Sequence, residues 1–91
     1  MIHMISYDLK GPANSYERLY ETIKSYGTWW HYLESTWIVR TCENPQEVYQ
    51  KLQPALRPED SLIIFNVTDS GYYGILPPKA WEWIKTNRQE K

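Results

Sequence analysis

A chain of 91 residues with ten basic and eleven acidic side chains, net charge −1, is long enough for one domain. It is too evenly charged to grip duplex DNA through its phosphates. One cysteine, Cys42, excludes an internal disulfide and suits a reducing cytoplasm. No apolar run approaches the roughly 20 residues of a membrane helix, so no membrane partner is expected. The opening Met1-Ile2-His3-Met4 carries neither the basic region nor the cleavage site of a signal peptide.

The first element is a strand over 2–9, which ends at the polar group Asp8, Lys10, Gly11 and Pro12. Asn14 is placed to open a helix, with Glu17 as its capping-box partner. Tyr16, Leu19, Tyr20, Ile23 and Tyr26 then recur at helical spacing, and Gly27 suits the left-handed end of the helix. Segments 28–33 and 36–41 are aromatic and β-branched and read as a hairpin turning at Glu34-Ser35. Alternation along the first of these puts Trp29 and Trp30 on opposite sheet faces.

Asn44-Pro45-Gln46-Glu47 combines a cap, a first-turn proline and an acidic third position, so it starts a second helix. Pro54 should end that helix early. A turn at 57–60 leads to a fourth strand over 61–68. The segment Asp69-Ser70-Gly71-Tyr72-Tyr73-Gly74 is a glycine-bounded aromatic loop, placed to act as a ligand lid or as a plain connection. Pro77-Pro78 leads a helix from Lys79 to about Asn87, too short to stand alone.

The whole chain, 1–91, therefore reads as one α+β domain of the ferredoxin-like β-α-β-β-α-β type. Its core runs to about residue 68, with a tail loop and helix over 69–91. Both long helices belong on one sheet face, and the other face is expected to be open. A core this thin gains from self-association. Five Trp and eight Tyr are more than it can bury, and such residues favour interfaces. A homodimer is the expected state.

Asp8, an acidic residue where a buried strand meets a loop, is the first candidate for chemistry. It could hold magnesium or manganese or orient a phosphate, a symmetric partner supplying the second carboxylate. Its plainer role is to solubilise the loop. His31, among aromatics, is a candidate acid, base or contact, or a strand histidine with one hydrogen bond. Tyr7, Trp30 and His31 are the candidate contacts to a nucleic acid or nucleotide, since bases stack on such rings. Core packing and a dimer seam are the alternative use of the same aromatics.

The strand end Ile5-Ser6-Tyr7-Asp8-Leu9 resembles the first strand of the small CRISPR-associated endonucleases. The segment Trp29-Trp30-His31-Tyr32-Leu33-Glu34-Ser35-Thr36-Trp37-Ile38-Val39 is similar to that of their relatives, the bacterial SinR-family proteins. That resemblance spans most of the chain, and its Trp-rich part is specific. It implies a ferredoxin-like homodimer, with Asp8 as catalytic residue and metal ligand of a divalent-metal-dependent nuclease. The expected function is binding of nucleic acid or a nucleotide, with hydrolysis optional. The alternative is a non-catalytic interaction protein or a nucleotide-sequestering decoy in prokaryotic defence.

Overall fold

The computed structural model describes residues 1–88; the last three residues of the expected domain lie outside the described residues. The elements are β1 (Ile2–Asp8), α1 (Glu17–Lys24), β2 (Trp29–Leu33), β3 (Thr36–Arg40), α2 (Pro45–Leu52), β4 (Ser61–Asn66) and α3 (Pro78–Arg88). The strands form one antiparallel sheet in the order β2-β3-β1-β4, an α+β architecture. Among the described residues no helix is long and apolar enough to cross a membrane.

Local chemistry sets the second helix. The Glu47 N–H donates to Asn44 Oδ1 (2.8 Å) and the Asn44 N–H to Glu47 Oε1 (2.9 Å), a complete capping box before Pro45. Pro54 stops α2 at Leu52, and Gln53–Ala55 tightens into a 3₁₀ turn. Gly27 takes φ +83°, where a side chain would be strained, and its N–H donates to the Lys24 carbonyl (3.0 Å).

The first helix begins later than its sequence suggests. Ala13–Ser15 is a 3₁₀ turn, and α1 starts after Tyr16 with no side-chain cap. Tyr16 is buried, and its hydroxyl donates to Asp60 Oδ1 (2.8 Å). The same oxygen accepts the Lys10 N–H (2.9 Å), and Oδ2 accepts the Arg57 N–H (2.7 Å). One carboxylate thus ties together the end of β1, the entry to α1 and the turn before β4. Gly11 completes the joint. Its N–H donates to the Tyr16 hydroxyl (3.0 Å), and a Cβ there would stand 2.8 Å from the Arg57 guanidinium carbon.

Helices α1 and α2 pack on one sheet face, where Leu19, Ile23, Val48 and Leu52 meet Ile5, Trp37 and Val39. The opposite face is not open throughout. Ala80 and Ile84 of α3 pack on Trp30, with Ile38, Trp81 and Trp83 around them. The tail helix therefore completes a second small core over β2 and β3. On β4 the same face stays bare, with Ile63 and Phe65 each about half exposed (52% and 51%). Cys42 is exposed.

Burial alone pushes the Asp60 carboxyl up, but the N–H donors of Lys10 and Arg57, the Tyr16 hydroxyl and the Arg57 charge outweigh it, and the net shift is downward. A carboxyl lowered in the folded state stabilises above its unfolded value of about 4, and that contribution is lost as pH falls through the folded value. Asp60→Asn is expected to cost about 1 kcal/mol at neutral pH and to flatten the acid side of the stability profile below about pH 4. Urea unfolding of both proteins between pH 2.5 and 7 checks this, and parallel profiles would count against the joint.

Candidate functional site

Trp37 sits at the middle of the helix-side face of the sheet and is buried. Its indole Nε1–H donates to the Tyr7 hydroxyl (2.8 Å). The His31 ring stacks on it at 3.7 Å and 14° between planes. Trp29 stands 5.3 Å away at a tilt, and Tyr20 from α1 stacks at 6.2 Å. These rings bound a cleft of about 540 Å³, with Lys24 and Glu34 among its lining residues. The Lys24 ammonium lies over the Trp29 ring, 5.7 Å from its centroid.

Each wall has a local cause. Trp29 and His31 share a face because they are two apart on a strand. Tyr20 lies on the apolar side of α1, one turn before Lys24. The two-residue turn at Glu34-Ser35 brings Glu34 to the mouth, where its carbonyl accepts the His31 Nε2–H (3.2 Å). Burial pushes the Tyr7 hydroxyl up, the Trp37 donor opposes this, and Tyr20 and Glu34 add to the rise. With a raised value Tyr7 is a neutral phenol at physiological pH. The cleft therefore presents flat rings, the phenol hydroxyls of Tyr7 and Tyr20, one cation and one carboxylate. This set suits a planar heteroaromatic ligand.

Of the four residues singled out from the sequence, Tyr7 and His31 meet in this cleft. Trp30 does not. It is 2% exposed, its Nε1–H donates to the Ala80 carbonyl (3.1 Å), and it faces α3 across the sheet from His31. No base can reach it. Its neighbour Trp29, 39% exposed, takes the place expected of Trp30.

Asp8 also stands apart. It points to the side opposite Tyr7, is exposed, and pairs with the Lys10 ammonium (2.9 Å). Among the described residues no group of three or more His, Cys, Asp or Glu side chains gathers to hold an ion. Magnesium sites use one or two carboxylates with water and substrate phosphates. Asp8 of one chain supplies one such carboxylate, and the rest of a shell would come from a second copy, water and substrate. His3 is buried, and its Nε2–H donates to the Glu43 carbonyl (2.6 Å).

The fold and this cleft define a small α+β domain with an aromatic cleft beside its helical layer. No family model matches the chain, and a search of curated proteins gives no match.

Stacking this close places the His31 ring protons in the shielding zone of the indole. Their NMR resonances are expected well upfield of a solvent-exposed histidine, and Trp37→Phe should reduce that displacement while costing about 1–3 kcal/mol in stability. Unshifted His31 resonances in the native protein would show that the stack does not persist in solution.

Proposed function

We propose that the protein is a homodimeric ferredoxin-like domain that binds a nucleotide or a short single-stranded nucleic acid in the Trp29–His31 cleft. The carrying observation is the juxtaposition of exposed Trp29 and stacked His31 with the Lys24 ammonium at the same cleft. A base stacks on the rings, and the ammonium meets a phosphate. The cleft volume falls within the range of small-ligand sites. Balanced overall charge supports a single nucleotide or short strand over a duplex.

The chain order β-α-β-β-α-β, the sheet order β2-β3-β1-β4 and the two long helices on one face support the ferredoxin-like assignment. The Trp29–Val39 segment supports kinship with the SinR-family proteins. The bare Ile63 and Phe65 on edge strand β4 support self-association there.

The reading is binding without hydrolysis, because Asp8 is engaged by Lys10 and lies away from the cleft. A nuclease would need the Asp8 of a second copy beside the first.

Trp29→Ala is expected to weaken binding of nucleoside monophosphates and short oligonucleotides by roughly 10- to 100-fold, the worth of one base–ring stack. Trp81→Ala, on the other face, should leave it unchanged. Calorimetric titration of both variants decides, and a Trp29→Ala protein that binds like wild type would end the proposal. Metal-dependent cleavage by wild type that disappears in Asp8→Ala would replace it with the nuclease.

Phe65→Lys places a charge on the bare strand and is expected to convert a dimer to a monomer in light scattering. A wild-type monomer at ~100 μM, far above the dissociation constant of a stable dimer, would remove the dimer from the reading.

A further inference from the structure

A second cavity, of about 280 Å³, lies on the other side of the sheet and owes nothing to the aromatic cleft. Met4 and Ile38 form its sheet side, Trp83 and Ile84 its helical side, and Tyr72 and Gly71 its loop side. This is the glycine-bounded loop that stood out in the sequence as a lid or a connection. The lining is apolar with one charged exception, Arg88 at the last described turn of α3.

Arg88 is held in place by two contacts. Its Nε–H donates to the Thr68 carbonyl (2.9 Å), and its guanidinium lies 5.0 Å from the centroid of the Tyr72 ring. Tyr72 in turn stacks on Trp81 at 5.9 Å. The two terminal nitrogens of Arg88 have no hydrogen-bond acceptor among the described residues. A fixed guanidinium whose outer fork meets no acceptor among the described residues matches a carboxylate, which it can take through two parallel hydrogen bonds. A phosphate dianion suits the site less. Among the described residues one cation faces it, Arg88, and the apolar lining would strip its water without replacement.

We propose that this cavity binds a small carboxylate with an apolar body, of the size of a medium-chain fatty acid, its head on Arg88 and its body between α3 and the sheet. The volume lies just under the roughly 300–1,000 Å³ of ordinary ligand pockets, so a long acyl chain or a two-chain lipid does not fit. The Tyr72 loop lies over the body of the ligand, with Gly71 leaving open space where a side chain would begin.

The test is calorimetric titration of the full chain with octanoate and, separately, octan-1-ol. Octanoate should bind saturably with one site per chain, and octan-1-ol at least 10-fold more weakly. Arg88→Met should weaken octanoate by roughly 10- to 100-fold and leave octan-1-ol unchanged, and Arg88→Lys, which restores the charge but not the fork, should rescue it only in part. Circular dichroism confirms that each variant is folded. Should Arg88→Met loosen α3, the comparison of the two ligands on wild type decides alone. No saturable octanoate binding, or equal affinity for the alcohol, overturns the proposal.

Discussion

The stack of rings on Trp37 is the constraint around which the helix-side half of the domain is arranged. Its indole fills the middle of the main core, and its N–H orients Tyr7 on the central strand. His31 and Trp29 of the edge strand and Tyr20 of α1 all lean on it. Aromatic pairs add about 0.5–1.5 kcal/mol each beyond their buried area, which is substantial beside the 5–15 kcal/mol that holds a typical domain together. Core and cleft therefore share a wall.

What could be read from the sequence was local. The Asn44 capping box, the Gly27 terminus, the stop at Pro54 and the two-residue hairpin turn depend on residues within a few positions of each other, and each is present. The late start of α1 was not legible, because it follows from a hydrogen bond between Tyr16 and Asp60, 44 residues apart. The covering of the second sheet face was also hidden. The tail helix has an apolar face, but nothing local says which surface it meets.

The choice between Trp29 and Trp30 turns on a single residue of register. Leu33 pairs with Thr36, so an unbroken hairpin would set Trp30 opposite Val39, facing α1 and α2. Instead the pairing shifts between Trp30 and Leu33, and Trp29 stands opposite Val39 with Trp30 opposite Ile38. Side chains alternate with a period of two, so a slip of one residue exchanges the faces. Alternation showed that the two tryptophans part company. The irregularity that decides which one enters the cleft carries no glycine or proline to announce it.

Helices lie on both faces of β3, whereas β4 is covered from one. Stability is therefore graded across the sheet. Amides of β3, between two cores and two neighbouring strands, can exchange only when the domain opens widely. The outer edges, β4 with its bare Ile63 and Phe65 and β2 with its half-exposed Tyr32 and Leu33, open at lower cost. Thermal fluctuation is thus directed towards the two edges of the sheet, and the inner strands β1 and β3 are the part of it least disturbed.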